Sequence, residues 1–187
     1  MYVCCQQEPL PVEFAKLLRV LPGEESIGIV MRVENGGSLG KLIHGRNIIP
    51  IVDKIDMLFQ IARGLAELHT VGIIHADIKP DNVLLDGSWP PKVRLADFGF
   101  SMFCNNKELS STTLAKTSSF CGTPLYSAPE MMINPYKPAA DGKYAKPSRK
   151  TDIYAFAILA YELLSQAEVF ADVHSEAVLC ARIHKGK

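Results

Sequence analysis

The 187-residue sequence has no excess of either charge: twenty lysines and arginines offset twenty aspartates and glutamates. That balance argues against a polyanion-binding surface, since nucleic-acid binders carry a basic excess. No apolar run is long enough to span a bilayer. The longest nearly uncharged stretch, Ile153 to Leu164, is broken by Glu162 and reads as a buried core helix. The first residues lack the basic segment and apolar run of a secretory leader. Cysteine is sparse, and Cys4, Cys5, Cys104, Cys121 and Cys180 form neither zinc-ligand spacing nor an even disulfide set. Free thiols in a reducing compartment are expected, with a cytoplasmic location as the default. Internal repeats and low-complexity tracts are also missing.

What is present is an ordinary globular composition, 48% hydrophobic and 21% charged, well away from the disordered class. Residues 14–21 and 27–33 are short apolar runs flanking Pro22-Gly23, and read as two antiparallel strands. Residues 34–38 read as a flexible polar connector. From Ile51 to Leu68 the period lengthens, with Ile51, Ile55, Leu58, Ala62 and Leu65 recurring three or four residues apart. Asp53, Lys54, Gln60, Arg63 and Glu67 fill much of the other face, which predicts an amphipathic helix of about five turns. Short strands alternate with turns through 73–100. A Ser/Thr-rich loop covers 101–123, and a Pro- and Lys-rich segment at 131–150 leads into an apolar helix over 151–164. Strands followed by helices predict an α+β fold.

One constellation carries chemistry. His75-Ala76-Asp77-Ile78-Lys79-Pro80-Asp81-Asn82 is followed fifteen residues later by Asp97-Phe98-Gly99, and further on by Ala128-Pro129-Glu130. Phosphoryl transfer from a nucleotide requires magnesium on the phosphates, a group that orients the attacking hydroxyl, and a cation near the moving phosphoryl. Magnesium takes oxygen ligands, commonly one or two from the protein. Asn82 and Asp97 supply such oxygens at the ends of two short apolar strands. Asp77 and Lys79, two residues apart in an extended loop, fall on one side of it.

These residues resemble the protein kinase family, whose HxDxKxxN loop, DFG triplet and APE triplet stand here in order. The resemblance implies a kinase-like α+β fold, ATP and Mg2+ as cofactors, and protein Ser/Thr as substrate. It implies Asp77 as the catalytic base or hydroxyl-orienting group, Lys79 as the steadying cation, and Asn82 and Asp97 as the magnesium ligands. Met31 would be the gatekeeper, with the backbone of Arg32 and Glu34 on adenine and Leu84 beneath the ring. His75, Phe98, Gly99, Thr123 and Glu130 would belong to the structural and activation-segment framework, and Asp152 would anchor the catalytic loop from below. Lys79 and the Gly122-Thr123-Pro124-Leu125-Tyr126 run look like the Ser/Thr branch.

The sequence also departs from the family. Ala76 replaces the usual Arg before the catalytic Asp, which resembles the non-RD kinases of the tyrosine-kinase-like and receptor-interacting groups. Conventional control through phosphates on Ser110, Ser111, Thr112, Thr113, Thr117, Ser118 or Ser119 then loses its most direct arginine. Tyr154 and Ala157 stand where the family has Trp and Gly. Lys137, Lys143, Lys146, Arg149 and Lys150 form a basic stretch with Asp141 as its one acid, so an acidic partner at 137–150 is one reading and a solvated insertion the other. No GxGxxG loop or strand lysine precedes Met31, and the helices that would pair with Glu130 are not in the sequence. The expected organisation is a small-lobe remnant (1–33), a hinge (34–40) and an incomplete large lobe (41–187). The alternative to a kinase fragment is a non-catalytic scaffold. A small-molecule phosphotransferase fits less well, because the segment from DFG to APE is of the protein-kinase kind.

Overall fold

The computed structural model describes residues 14–22, 27–104, 122–132 and 146–185. The Ser/Thr cluster 110–119, Cys4, Cys5, Cys121, Lys137 and Lys143 lie outside the described residues.

The chain opens with the antiparallel ribbon expected from its two apolar runs. Strand β1 (Leu17–Pro22) pairs with β2 (Ile27–Met31), Val20 opposite Ile29. Phe14 and Ala15 stay out of the ribbon and reach instead to Leu95, where the Ala15 N–H donates to the carbonyl at 2.8 Å. The ribbon is exposed, with Leu17, Leu18, Leu21 and Ile29 all turned to solvent.

The connector after β2 is pinned rather than flexible. Gly37–Ser38 forms β3 against β5 (Val83–Leu85), which pairs in turn with β6 (Val93–Leu95). The Gly36 N–H donates to Leu85 O at 2.8 Å, and a Cβ there would lie 2.7 Å from both Leu85 and Gly87. Only glycine allows that approach. Helix α1 (Leu39–Ile43) follows, capped by the Ser38 hydroxyl, which accepts from the Lys41 N–H.

Helix α2 (Ile51–Thr70) has the extent its periodicity predicts, but its core face is rotated from the expected one. The buried positions are Lys54, Met57, Ile61, Gly64, Leu65 and Leu68, while Ile51, Val52, Ile55 and Phe59 are exposed. Both faces of this helix are apolar, so hydrophobic spacing fixes the helix and not its phase. Met57, Ile61, Leu65 and Leu68 win because they fill the space between the β3–β5–β6 sheet and α3 (Arg149–Ser165). Lys54 is buried because its ammonium donates to Leu164 O at 2.8 Å, at the C-terminal end of α3, where the helix dipole favours a cation.

Helix α3 begins at a capping box between Ser148 and Thr151 and ends at Gln166, which is left-handed (φ 50°). The Gln166 side chain accepts from the Ile49 N–H and donates to Asn47 O, tying the entrance of α2 to the exit of α3. This helix is not buried all round. Thr151, Asp152, Ala155, Leu159, Glu162 and Leu163 face inward, whereas Ile153, Tyr161 and Leu164 are open. Strand β4 (Ile73–Ile74) pairs with β7 (Met102–Phe103), and a smaller core sets α4 (Glu176–His184) against Met132 through Leu179, Cys180 and Ile183.

The two faces of α2 separate in stability. Met57→Ala or Ile61→Ala should cost about 2–5 kcal/mol by urea denaturation, as for other buried large-to-small changes. Phe59→Ala should stay within about 0.5 kcal/mol of the parent in stability.

Candidate active site

The loop from His75 to Asn82 is built on one buried carboxylate. Asp152, 1% exposed in the first turn of α3, accepts the His75 N–H on Oδ2 and the Ala76 N–H on Oδ1, both at 2.9 Å. The ring of His69, at the end of α2, meets the same Oδ2 at 2.8 Å. Ala76 is left-handed (φ 66°), a conformation that costs a non-glycine residue energy and needs support from its surroundings. That support is the Asp152 bond. The position where the family has Arg thus contributes its backbone here, and its side chain is a methyl group.

His75 is fully buried, with neighbours that define its tautomer. Nε2 lies 3.1 Å from Ala96 O and must donate, which leaves Nδ1 to accept the Asp77 N–H at 3.4 Å. Burial lowers its pKa, and this outweighs the charges of Asp152, Asp77 and Asp97 and the bond to Ala96. The Phe98 ring lies 5.0 Å from the His75 ring and 6.1 Å from Phe14, joining the loop at His75 to the first described residue.

Asp77 is 5% exposed and surrounded by donors. Lys79 Nζ stands 2.9 Å from Oδ2, Asn82 Nδ2 donates to Oδ2 at 2.8 Å, and the Thr123 hydroxyl donates to Oδ1 at 2.8 Å. Lys79 also donates to Thr123 Oγ1 at 2.8 Å. Burial alone would raise the Asp77 pKa. The bonds from Lys79 and Thr123, the Lys79 charge and the Asn82 bond outweigh it and hold the carboxyl below its ordinary value. Such a group accepts a hydrogen bond well and takes up a proton poorly.

Asn82 is buried with its amide nitrogen spent on Asp77 O and Oδ2, so its oxygen is the atom with donor capacity for a cation. The Ala96 N–H donates to Asn82 O at 2.9 Å and brings Asp97 alongside. Asp97 is exposed and left-handed (φ 60°), its Oδ1 accepting the Gly99 N–H at 3.2 Å. Among the described residues no cluster of three or more His, Cys, Asp or Glu is placed to hold a metal. Two hard oxygen donors beside an open surface suit magnesium, which completes its shell with phosphate and water.

At the strand before the connector, Met31 is 42% exposed. The Arg32 N–H is spent on Lys16 O at 2.8 Å, which leaves its carbonyl for a ligand. Glu34 and Leu84 are half-buried, Leu84 in the middle of β5 opposite Ser38 and Arg94. Glu130 is exposed, with no ion-pair partner among the described residues. Beside Thr123 opens a shallow recess of about 240 Å³, walled by Pro124, Leu125, Val173 and Leu179.

Sequence reasoning gave no role to three residues that the structure makes important. His69 and Lys54 were hidden among the polar positions of α2. Glu162, 2% exposed, accepts from Tyr126 Oη at 2.7 Å and from the Val169 N–H at 3.0 Å. Burial and then Glu162 raise the Tyr126 pKa, so this bond joins the segment after Thr123 to α3. Glu162 had a visible signal as the only charge within the apolar stretch from Ile153 to Leu164.

A carboxylate ringed by a lysine, a threonine and an asparagine, next to two oxygens of the kind magnesium takes, has the chemistry that phosphoryl transfer requires. The comparisons name the class. Residues 12–186 match the family model of the protein kinase domain, and the chain belongs to that family. It is 33% identical over 175 residues to receptor-interacting serine/threonine-protein kinase 2 of Bos taurus, covering 91% of this chain and 31% of that protein. It is 29% identical over 180 residues to receptor-interacting serine/threonine-protein kinase 1 of Homo sapiens, covering 91% and 25%. A serine/threonine-protein kinase H1 homolog of Danio rerio is 30% identical over 187 residues, covering 99% and 40%. The chain therefore spans two fifths or less of these relatives. Membership implies ATP use, generally with Mg2+. No described helix is long and apolar enough to cross a membrane.

Removing the anchor has a defined cost. Asp152→Ala leaves the buried His75 N–H, the part-buried Ala76 N–H and the His69 ring without their acceptor, and should destabilise the fold by about 3–5 kcal/mol in chemical denaturation.

The pH dependence follows from the shifts. His75, lowered in the folded state, makes stability fall as pH drops below 6.5, where the unfolded imidazole takes its proton first. Asp77 is also lowered, so its contribution is full above 3.8 and disappears as pH falls through its folded value. Ring-nitrogen NMR should find His75 predominantly neutral, with the proton on Nε2, at pH 7. A His75 that titrates above 6.5 would contradict this.

Proposed function

We propose that the chain carries the catalytic centre for transfer of the ATP γ-phosphate to Ser/Thr hydroxyls of proteins. The observation that carries this reading is the donor ring around Asp77, which keeps it anionic and aimed. In the proposed division, residues 1–33 belong to the small lobe, 34–40 to the hinge and 41–187 to the large lobe. Magnesium, when bound, supplies charge neutralisation on the nucleotide phosphates. Asn82 and Asp97 would hold it. Asp77 accepts the hydrogen bond of the acceptor hydroxyl and fixes its direction, and its lowered pKa makes orientation the larger part of its role. Lys79 places a cation beside the transferred group, with Thr123 keeping it registered against Asp77. The Arg32 carbonyl and the Glu34 backbone would contact adenine, with Met31 behind it and Leu84 beneath. The apolar recess beside Thr123 gives a neighbouring side chain of the substrate a place to lie. A cytoplasmic location fits this reading.

Within the 187 residues no Gly-rich phosphate loop or strand lysine precedes Met31. Removing one positioned electrostatic donor typically costs about 10²–10³ in rate. Transfer by these 187 residues alone should therefore lie close to background. A non-catalytic scaffold built on the kinase large lobe is the second reading. The exposed Lys146, Arg149 and Lys150, at the start of α3, are where an acidic partner would meet such a scaffold.

Binding of a fluorescent ATP analogue, with and without magnesium, tests the first reading. It should be magnesium-dependent and weaken more than about tenfold in Asp97→Asn, one lost metal ligand being worth over 1.4 kcal/mol. Binding indifferent to magnesium and to this substitution would leave the scaffold. Radiolabelled phosphate transfer should not exceed the Asp97→Asn control, and robust turnover would show that these 187 residues suffice for transfer.

A further inference from the structure

One hydroxyl close to the Asp77 ring has no part in the transfer reading. Ser127 is half-buried just after the single 3₁₀ turn Pro124–Tyr126, and its Oγ donates to the Thr123 carbonyl at 2.9 Å. The Tyr126 N–H donates to the same carbonyl at 3.0 Å. Both lone pairs of that oxygen are therefore in use, which fixes the peptide plane between Thr123 and Pro124. The Thr123 hydroxyl donates to Asp77 Oδ1 and accepts from Lys79 Nζ, each at 2.8 Å. A threonine side chain has three staggered wells, and only one of them puts Oγ1 between these two groups.

The hold on Thr123 comes from the residues after it. Gly122, with φ 106°, imposes few restraints of its own, and a Cβ there would stand 3.0 Å from Ala76 O. Beyond Thr123 the restraints accumulate. Pro124 has a fixed φ, the Ser127 N–H donates to Pro124 O at 3.1 Å, and the Tyr126 hydroxyl ties the turn to Glu162. A lone i→i+3 bond is a weak closure, because its geometry is poorer than that of an α-helix. The Ser127 hydroxyl doubles it, at the one carbonyl that belongs to Thr123. A serine bonded to the carbonyl four residues earlier is common as a local feature. Here that carbonyl belongs to the residue that completes the donor ring. Ser127 also lines, with Ala76, Asp77, Thr123, Thr151 and Asp152, a cavity of about 20 Å³ beneath the ring.

We propose that Ser127 is a positioning residue for phosphoryl transfer: its hydroxyl holds the Thr123 carbonyl so that the Thr123 hydroxyl stays between Asp77 and Lys79. Ser127 bonds to Thr123, and reaches Asp77 and Lys79 through the hydroxyl of that residue. Such placement matters because a shift of about 1 Å at a catalytic centre can cost roughly a hundredfold in rate. What the placement serves rests on the transfer reading. The placement itself is measured without nucleotide or turnover, so the two fail separately.

The readout is the side-chain torsion of Thr123, taken by NMR from the three-bond couplings of its Cγ2 to the backbone N and C′ in the 187-residue chain. The parent should occupy one staggered well. Ser127→Ala should give couplings averaged over two or more wells, with the amide signals of α2 and α3 unmoved. Ser127→Thr keeps the hydroxyl, suits the extended backbone of that residue (φ −83°, ψ 135°) and has the small cavity for its methyl group. It should return the couplings of the parent. Tyr126→Phe separates positioning from the firmness of the segment. It removes the tether to Glu162 and should lower the melting temperature. It keeps both bonds to the Thr123 carbonyl, and should leave Thr123 in one well. A single well in Ser127→Ala, or averaging already in the parent, would overturn the proposal. So would averaging in Tyr126→Phe as large as in Ser127→Ala, or no recovery in Ser127→Thr. Loss of the α2 and α3 signals in Ser127→Ala would mark a merely structural residue and equally overturn it.

Discussion

The arrangement of the site depends on one buried carboxylate. Asp152 is almost wholly removed from water, a position that is costly unless every lone pair is occupied. Three donors occupy it: the His75 and Ala76 N–H groups and the His69 ring. The dependence runs both ways. The capping box at Ser148 starts α3 at the point that directs Asp152 under the loop, and α2 delivers His69 from the other side. In exchange the carboxylate holds Ala76 in a backbone conformation that an alanine would not keep unaided. Because Ala76 is left-handed, the chain turns between His75 and Asp77, so one side chain points into the core and the next toward the donor ring.

The ring around Asp77 has the opposite logic. Asp152 is a fixed structural anion, whereas Asp77 sits at the edge of the open side and shares its partners. Lys79 and Thr123 bind each other as well as the carboxylate, and Asn82 bonds both its side chain and its carbonyl. Interlocked bonds of this kind fix direction more than they add stability. Thr123 is the only one of the three partners outside the loop. The ring around Asp77 is therefore complete only when the segment at 122–128 is in place, and the Tyr126–Glu162 bond attaches that segment to the same α3 that carries Asp152.

Much of this was legible in the sequence, for definable reasons. HADIKPDN, DFG and APE name the family because their spacing is fixed by the chemistry, and Asp77, Lys79 and Asn82 come together as that spacing implies. The two N-terminal strands and the length of α2 follow from period and turn residues. The phase of α2 did not follow, since Ile55 and Phe59 are as apolar as Met57 and Ile61 and only the neighbouring elements choose between them. The connector at 36–38 looked flexible because glycine permits both freedom and close approach, and here the approach to Leu85 decides. Lys54 looked like a surface residue because its partner, the Leu164 carbonyl, lies 110 positions away in the chain.

The ambiguity in α2 is itself informative. A helix apolar on two sides is ordinarily buried on both, as the core helices of large proteins are. Here one side fills the space between the sheet and α3 and brings His69 to Asp152, while the other faces solvent with an unbroken three–four repeat. The charged Asp53, Asp56, Arg63 and Glu67 keep to one flank of that outer side, so apolar and polar positions are sorted on it as they are on the core side. Hydrophobic period alone therefore reports two stripes, and the contacts of Met57, Ile61, Leu65 and Leu68 decide which of them carries the site.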